Sequence, residues 1–418
     1  MSRVIPGPGK PKRLDHSRGH LNSRQFGVVV AGFCSFLLIY ATQPLLPMLT
    51  DIFQASKIAV SMTVTVAALG VALAAPMAGI LADRVGRKRL IVWSAFLLGL
   101  CSLAAATSPG LGVLLFWRFC QGLCTPGVFS VTVAYINDEW AGARAGSVLS
   151  SYVSGTVLGG FSSRFLAGLI AAHWGWRWVF VVLGALTLAG AGMIAKFLEP
   201  ERHFPHVSRS EGSWWSAVKS HLKNRRLLAT YAIGFCALFS LVATFSYVTF
   251  YLADPPFNLK PAVLGSIFFV YLVGAAVNPL AGRAIDRSGP RVVLACGIGA
   301  GVAGVGLTLI HSIWMVGLGL TICSSGVFAA QTASSSFVGL AAEHNRALAV
   351  GLYAAFYYVG GSAGAAIPAY FWSLGGWPAC VAFIACVQIL TVSIALAFWQ
   401  GPIRTPSGAQ FVGPPELE

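Results

Sequence analysis

The sequence predicts an all-α integral membrane protein in which twelve transmembrane helices form two pseudo-symmetric bundles of six. Three observations support this fold class: an apolar composition, basic loops on alternate sides of the hydrophobic runs, and a basic motif that recurs half a chain later. Of the 418 residues, 56% are hydrophobic and 10% are charged, whereas soluble proteins have about 25% charged residues. We therefore expect lipid to surround most of the protein surface.

Hydrophobic runs that exceed the roughly 20 residues needed to cross a bilayer divide the chain into spans. The first run is too long for the core of a signal peptide, so we expect it to remain in the protein. The predicted spans lie near 26–50, 58–82, 90–107, 111–134, 145–171, 178–197, 227–252, 262–285, 291–310, 313–337, 347–373 and 377–400.

The spans define five predicted regions along the chain. In chain order these are a basic cytoplasmic tail (1–25), an N-terminal six-helix bundle (26–197), a cytoplasmic linker (198–226), a C-terminal six-helix bundle (227–400) and a cytoplasmic tail (401–418). Within the linker, two Trp residues in the stretch Ser213–Lys223 favour an interfacial helix at the headgroup level.

The distribution of charge predicts the orientation of the spans. The net charge is +15, but Lys and Arg lie mainly in loops on one side, so the charge indicates topology and contact with anionic lipid rather than a nucleic-acid partner. By the positive-inside rule this side is cytoplasmic, and an even number of spans places both termini there. The basic loops hold Arg84, Arg87, Lys88, Arg89, Arg144, Arg287, Arg291 and Arg346.

A basic loop between the second and third spans recurs between the eighth and ninth. The first copy starts at Gly79 and the second at Gly282, 203 positions later. Four residues recur in register, namely Gly79, Asp83, Arg84 and Gly86 as Gly282, Asp286, Arg287 and Gly289. Two similar halves, each with the same loop on the same side of a membrane, are an architecture typical of transporters.

On these residues the chain resembles the major facilitator superfamily, over about 26–400 of its length. The loop Gly79–Arg89 fits that family's signature G-x-L-x-D-R-x-G-R-K-R in full. In the fourth span, Arg118, Gln121 and Gly122 are similar to the R-x-x-Q-G signature.

The fifth span contains a third motif that resembles a signature of this family. Gly155, Gly159 and Gly160 resemble the exporter signature G-x-x-x-G-P-x-x-G-G, but Gly160 stands where Pro is usual, which weakens an exporter assignment from this motif alone. The runs Gly159–Arg164 and Tyr40–Pro47 resemble the YnfM-type branch of bacterial drug and sugar efflux permeases.

The resemblance implies a proton-driven secondary transporter of the bacterial inner membrane, most often an exporter of small molecules. It also implies that Asp83, with Arg84 and Arg87, latches the two halves together on the cytoplasmic side when the binding site faces outward. Asp286 and Arg287 would be the counterparts in the second half. Gly79 and Gly86 would permit close approach and a tight turn. The alternative is that Asp83 only caps its loop.

Two arginines fall inside predicted spans. Arg118 lies seven positions after Leu111, roughly 10 Å into its helix at about 1.5 Å per residue, and a charge there costs about 2.5–3.5 kcal/mol on insertion scales. By resemblance it acts in proton coupling or in contact between spans four and one; its counterpart in the second half is Thr321. Arg164 is expected in the outer third of span five, lining an outward vestibule. Either side chain could instead extend to the membrane surface.

The remaining candidates are packing glycines and cavity residues. Glycines spaced by four residues let helices approach closely and could also act as hinges. The predicted packing and hinge glycines are Gly155, Gly159 and the adjoining Gly160 in span five, with Gly360 and Gly364 in span eleven. Polar or aromatic side chains near mid-membrane are candidates for substrate contact, although each could instead satisfy a backbone group. With Arg164, they are Tyr40, Gln43, Tyr152, Tyr247, Tyr271, Asn278, Gln331, Tyr357 and Tyr358, and the first span bends beside them at Pro44 and Pro47.

No Asp or Glu falls in the middle of a predicted span. The proton carrier could therefore be Asp51, Asp83 or Asp254, or a water network around Arg118, or transport could be uncoupled. The two span arginines favour an anionic or neutral polar substrate over a lipophilic cation.

Other classes of function find little support in the sequence. An enzyme would need a catalytic set, and no such set is recognisable. We expect no metal site and no cofactor, because the nine Cys residues lack zinc or redox spacing. A transporter-like sensor would normally add a soluble domain. The main alternative to efflux is uptake of the substrate. We expect the protein to be a monomer.

Overall fold

The computed structural model describes residues 16–140, 143–201, 214–342 and 346–399, and all regular structure within these ranges is helical. The fourteen α-helices are α1 His16–Leu37, α2 Leu46–Phe53, α3 Lys57–Val85, α4 Arg87–Ala106, α5 Leu111–Glu139, α6 Ala143–Trp174, α7 Trp176–Phe197, α8 Trp214–Lys223, α9 Arg225–Ala253, α10 Pro261–Ser266, α11 Val270–Leu307, α12 Ile313–Ala341, α13 Arg346–Ala366 and α14 Pro368–Phe398.

These helices account for the twelve predicted spans. Within the described residues, nine helical stretches are long and apolar enough to cross a membrane, and one of them, Pro261–Leu307, covers 47 residues. This stretch contains spans eight and nine, which are separated at Gly289, where φ is +79°. Spans eleven and twelve meet at Gly375 and Gly376, where the backbone leaves the helical conformation. The predicted all-α membrane fold is confirmed.

The start of the first span differs from the prediction. Helix α1 begins at His16, so part of the region expected to be a tail (1–25) extends the first span. The predicted interfacial helix in the linker corresponds to α8. The predictions for 1–15, for 202–213 and for the C-terminal tail fall outside the described residues.

The first span is broken near its middle. Leu38–Thr42 forms turns, Gln43–Leu45 is a 3₁₀ helix, and α2 continues the path. Pro44 and Pro47 explain the break, because neither residue has a backbone N–H to donate to a carbonyl four positions earlier. Backbone carbonyls are therefore left for other donors.

The eighth span is also irregular, and Phe268 lies in its 3₁₀ turn. This turn, Ile267–Phe269, joins α10 to α11. A 3₁₀ stretch within a longer helical path is a place where helices commonly hinge.

Glycines bring helices together within each half. An added Cβ at Gly155 or Gly159 would come 2.4 Å or 2.2 Å from a carbonyl oxygen of α1. At Gly360 and Gly364 it would come 2.1 Å and 2.4 Å from carbonyl oxygens of α9. The four glycines thus lie at backbone-to-backbone contacts. Gly160 differs, since an added Cβ there would meet only side chains, those of Arg164 at 3.4 Å and Phe36 at 3.9 Å.

Candidate functional site

Arg118 is fully buried in α5, and its guanidinium is occupied by neighbours from its own half. Nε donates to the carbonyl of Thr63 at 3.0 Å and Nη1 to the carbonyl of Leu38 at 2.8 Å. Nη1 also donates to Oε1 of Gln121, and Nη2 to the carbonyl of Ile39. Arg118 therefore joins span four to spans one and two, by supplying donors to carbonyls freed at the break in span one.

Arg164 is 3% exposed in α6 and has a different set of partners. Its Nε donates to Oε1 of Gln43 at 2.7 Å, and its Nη1 to the carbonyl of Gly160 at 2.6 Å. The guanidinium carbon also lies 4.6 Å, 4.7 Å and 5.1 Å from the ring centroids of Tyr40, Tyr271 and Phe268. Distances of this size correspond to cation–π contacts.

Neither arginine meets a carboxylate. The ion pairs within the described residues join other arginines or a lysine to acids, and neither Arg118 nor Arg164 is within 4.0 Å of a carboxylate oxygen there. Two positive charges thus lie in the membrane region of the protein with only neutral partners. Charges in this situation are costly and usually mark a functional site.

The break in span one lies between these two arginines. Arg118 binds the carbonyls of Leu38 and Ile39, while Arg164 contacts the ring of Tyr40 and the side chain of Gln43. Broken helices at the meeting of two repeats commonly form transporter binding sites. We call the five residues around Arg164, which are Tyr40, Gln43, Arg164, Phe268 and Tyr271, the Arg164 cluster.

The Arg164 cluster joins the two halves, residues 16–201 and residues 214–399. Phe268 and Tyr271 belong to the second half. Gln43 reaches the second half as well, since its Nε2 donates to Oγ of Ser246 at 3.1 Å. Backbones also meet nearby, where an added Cβ at Gly168 would lie 2.4 Å from the carbonyl oxygen of Pro261.

Further contacts between the halves lie on the same side of the molecule. Nζ of Lys57 and a carboxylate oxygen of Asp254 are 2.9 Å apart, at the ends of α3 and α9. Deeper in the seam, Thr65 and Ser362 exchange hydroxyl-to-carbonyl hydrogen bonds of 3.2 Å and 3.0 Å. The seam is therefore closed at the end of the molecule that carries Lys57.

Aromatic rings meet nearer to the middle of the molecule. The ring centroid of Phe129 lies 5.6 Å from that of Phe36 and 6.4 Å from that of Tyr358. Tyr357 is half-buried, with its ring centroid 5.5 Å from that of Tyr358. Two predicted cavity residues, Tyr357 and Tyr358, thus lie beside one another, and Tyr358 faces the first half.

The remaining predicted cavity residues lie outside the Arg164 cluster. The Tyr152 hydroxyl donates to the carbonyl of Phe129 within the first half, and the Tyr247 hydroxyl donates to the carbonyl of Ala365 within the second. Each of these two hydroxyls thus binds a backbone carbonyl of its own half. Asn278 accepts from Thr332, and Gln331 is half-buried.

The first basic turn makes its ion pairs inside its own half. Gly86 has φ of +98° and forms the tight turn. Arg87 pairs with Asp138, lies 3.9 Å from Asp83, and donates to the carbonyl of Ala134 at 2.8 Å. Asp83 is exposed. Gly79 makes no close approach, because an added Cβ there would meet nothing within 4 Å.

The second basic turn has the same backbone form with fewer contacts. Gly289, at φ of +79°, occupies the position of Gly86. Asp286 and Arg287 are exposed. Arg291 donates to the carbonyl of Leu396 at 2.7 Å. The repeat in the sequence therefore corresponds to a repeated turn.

The sequence prediction missed a buried ion pair at the basic end of the first half. Arg24 lies 2.9 Å from a carboxylate oxygen of Glu139 and 3.4 Å from one of Glu199, and it also donates to Tyr135. Glu139 is 2% exposed. An acid at the end of the fourth span was the available signal, but its partner lies 115 positions earlier.

No group of three or more His, Cys, Asp or Glu side chains suited to a metal ion occurs in the described part of the chain. Two apolar grooves of about 200 Å³ and 570 Å³ lie in the described part of the chain. The first lies beside Val29 and Gly155, and the second beside Val277 and Thr321. Neither groove includes a member of the Arg164 cluster.

Comparison with known proteins identifies the family. The chain matches the family described as Major Facilitator Superfamily over residues 28–257 and 255–414. It is 31% identical over 374 residues to an uncharacterized MFS-type transporter, YybF, of Bacillus subtilis (strain 168), covering 90% of this chain and 91% of that one. It is 30% identical over 364 residues to the inner membrane transport protein YnfM of Escherichia coli (strain K12), covering 87% of each.

Solved structures share the fold. A structure of the nucleoside transporter NupG has a TM-score of 0.72 at 14% identity, covering 90% of this chain and 100% of that one. A bacterial homologue of the human lysosomal transporter Spinster, inward-facing and unoccupied, has a TM-score of 0.68 at 16% identity, covering 93% and 97%. The repeated basic turns, the two six-helix halves and these matches show that the chain belongs to the major facilitator superfamily, whose members move small molecules across membranes.

Proposed function

We propose that this protein exports a small molecule across the bacterial inner membrane by alternating access, in exchange for protons. The observation that supports a transport site most directly is the broken first span between two buried arginines, at the junction of the two halves. A discontinuous helix at a repeat interface supplies free backbone groups and a place for the chain to bend.

The orientation follows from the loops. Because Lys and Arg concentrate on the side of the Gly86 and Gly289 turns, the positive-inside rule makes this side cytoplasmic. Both termini would then lie in the cytoplasm. The seam closed by Lys57 and Asp254 would face outward, so the conformation described is closed toward the outside.

In this proposal the basic turn is a latch that is released in the present conformation. Asp83 and Arg87 interact within the first half while the outer seam is closed. When the outer seam opens, the cytoplasmic ends of the halves approach, and Asp83 becomes available to groups of the second half. Gly86 fixes the turn that presents it.

Neither Arg118 nor Arg164 has an acidic partner in the described residues, so in this proposal the proton carrier lies elsewhere. Of the acids considered, Asp254 is the one whose ion pair joins the halves, through Lys57. Its protonation would remove an attraction that holds the outer seam closed. We therefore place Asp254 first among the candidate carriers, ahead of Asp51 and Asp83.

The lack of an acid beside Arg118 or Arg164 in the described residues favours an alternative, an uncoupled facilitator. The same alternating-access cycle would also serve a proton-coupled uptake permease. Proteoliposomes containing the purified protein would separate these functions. Solutes of three classes (drugs, sugars and organic anions) should be tested with and without an imposed pH gradient. Exchange against protons would support efflux, and movement with protons would identify uptake. Flux that is indifferent to the gradient would identify a facilitator, and absence of flux for every class would contradict transport.

A further inference from the structure

We infer that Arg164 is the binding group for an anionic substituent of the substrate, and that the aromatic rings of the second half occupy its place when the outer seam is closed. The ligand class is a small organic anion, such as a carboxylate. This inference rests on the proposed transport function and names the chemistry of its site.

The charge of Arg164 is the first support. The side chain is almost fully buried, and no carboxylate within the described residues lies within 4.0 Å of it. Arginine presents a planar fork of donors that matches a carboxylate in two parallel hydrogen bonds. Here Nε and Nη1 bind one neutral oxygen each, from Gln43 and Gly160. A formal negative charge would stabilise the guanidinium more strongly than either neutral oxygen.

The position of the guanidinium is the second support. It belongs to α6 in the first half, while two of the three rings around it, Phe268 and Tyr271, belong to the second half. If the outer seam opens, these rings move away with their own half, and one side of the guanidinium is exposed to the vestibule. The π faces and the anion are therefore alternative partners for one cation in two conformations.

Tyr40 supplies a third and independent observation. The residue is 5% exposed, and its hydroxyl is buried without a hydrogen-bond partner in the structure. Its ring lies against Arg164 on the first-half side, so it stays beside the guanidinium when the halves part. A buried hydroxyl without a partner is costly, and a carboxylate bound at Arg164 could accept a hydrogen bond from it.

Arg118 provides the internal contrast that makes the assignment specific. Its guanidinium N–H groups donate to the carbonyls of Thr63, Leu38 and Ile39, all within the first half. Those contacts do not depend on how the halves are arranged. Of the two span arginines, Arg164 is thus the one whose partners change during alternating access.

The test uses the full chain in nanodiscs of phosphatidylcholine, a lipid without net charge, so that anionic headgroups do not compete. The probes are three matched pairs: acetate and acetamide, benzoate and benzamide, and succinate and succinamide. Binding is measured by the ligand-induced shift in the thermal unfolding midpoint. We expect at least one carboxylate to bind at least tenfold more tightly than its amide, and Arg164→Gln to abolish this preference.

Two further variants should change the affinity for the carboxylate in opposite directions, which a purely structural role of these residues would not produce. Tyr40→Phe removes only the hydroxyl without a partner and should weaken carboxylate binding severalfold without affecting the amide. Phe268→Leu keeps an apolar side chain but removes a competing π face, so it should strengthen carboxylate binding by about threefold. Arg177→Gln is the control, since Arg177 bonds the Ser108 carbonyl away from this cluster, and the carboxylate preference should persist.

The inference is overturned if no carboxylate is preferred over its amide in the wild-type protein, or if Arg164→Gln keeps the preference. Flux in proteoliposomes keeps this result separate from the transport proposal. Carboxylate binding without flux under any gradient would contradict transport and leave the anion site intact. Flux without a carboxylate preference would contradict the anion site and leave the transport proposal intact.

Discussion

Two arginines lie beside the same break in the first span, and they are held in different ways. Arg118 is bonded to three backbone carbonyls and one amide oxygen, all from the first half. Arg164 has two hydrogen bonds in the first half, and two of the three rings around it come from the second half. Burial and charge are alike at the two positions, so the difference in partners indicates which arginine stabilises and which arginine changes its contacts.

The same distinction applies to the whole molecule. Contacts within a half include many tight backbone-to-backbone approaches, as at Gly159 and Gly360. Contacts between the halves include one such approach, at Gly168, together with aromatic faces, hydroxyl groups and a partly exposed ion pair, Lys57 with Asp254. The aromatic and ionic contacts between the halves are individually weak and can be exchanged at small cost. Changes within a half should therefore affect stability, and changes between the halves should affect the conformational equilibrium.

Arg118→Met is expected to have the largest effect. It would remove the guanidinium hydrogen bonds to the carbonyls of Leu38, Ile39 and Thr63, and each hydrogen bond to a charged group contributes about 1.5–3 kcal/mol. We expect a strongly reduced yield of folded protein and a markedly lower thermal unfolding midpoint in detergent. The control is Arg177→Gln, which removes one hydrogen bond, to the Ser108 carbonyl, and one cation–π contact, with Trp176. An unfolding midpoint near the wild-type value for Arg118→Met would contradict the role as a structural tie.

Gly360→Ala tests a contact within the second half. The added methyl group would lie 2.1 Å from the carbonyl oxygen of Phe235, so α13 and α9 must separate, which costs about 1–3 kcal/mol as for other overpacked sites. The expected result is a lower unfolding midpoint by thermal-shift measurement.

Gly351→Ala, on the same helix, is the control for this substitution. A Cβ there would meet nothing within 4 Å, and Ala favours a helix over Gly by roughly 0.5–1 kcal/mol. Its unfolding midpoint should be unchanged or slightly raised. Equal losses in the two variants would show that helix flexibility, and not the close approach, explains the glycine at 360.

The sequence was sufficient to predict the spans and the repeated turns, because both depend on local properties. The length of an apolar run decides whether it can cross a bilayer. A Gly at positive φ, as at Gly86 and Gly289, can be inferred from a repeated motif. The packing glycines also have a local signature, since their spacing of four residues places them on one helix face.

The partners of the arginines could not be predicted in the same way. Arg118 and Arg164 were recognisable as charges in apolar runs, but their partners depend on how the helices are rotated and where span one breaks. Helix rotation also turned Tyr152 and Tyr247 toward backbone carbonyls. The pair of Arg24 with Glu139 joins distant parts of the chain, and a single sequence contains no information on such pairs.

Asp83→Asn addresses the opposite end of the molecule, where the basic turn lies. Asp83 is exposed and lies 3.9 Å from Arg87 within its own half, so its loss should hardly change stability in the conformation described. If the latch assignment is right, the outward-open state loses an anchor, and we expect transport in proteoliposomes to fall by about tenfold, or ~1.4 kcal/mol. Asp286→Asn in the second turn is the paired variant. Wild-type transport by Asp83→Asn would remove the latch assignment.

Lys57→Gln should have the smallest effect, and it completes the comparison between contacts within and between the halves. Lys57 and Asp254 are partly exposed, at 29% and 54%, although they lie 2.9 Å apart, and exposed pairs contribute about 0.2–1 kcal/mol. The unfolding midpoint should therefore barely move. Because the pair joins the halves, even this small change should increase labelling of cysteines introduced along the outer seam. Asp254→Asn should produce a smaller increase, because it leaves the Lys57 ammonium 5.2 Å and 4.2 Å from the ring centroids of Phe250 and Trp372. Combining the two changes should add little to Lys57→Gln, which alone already breaks the pair. A shift in unfolding midpoint comparable to that of Gly360→Ala, without any change in labelling, would show that this contact stabilises the fold like those inside a half.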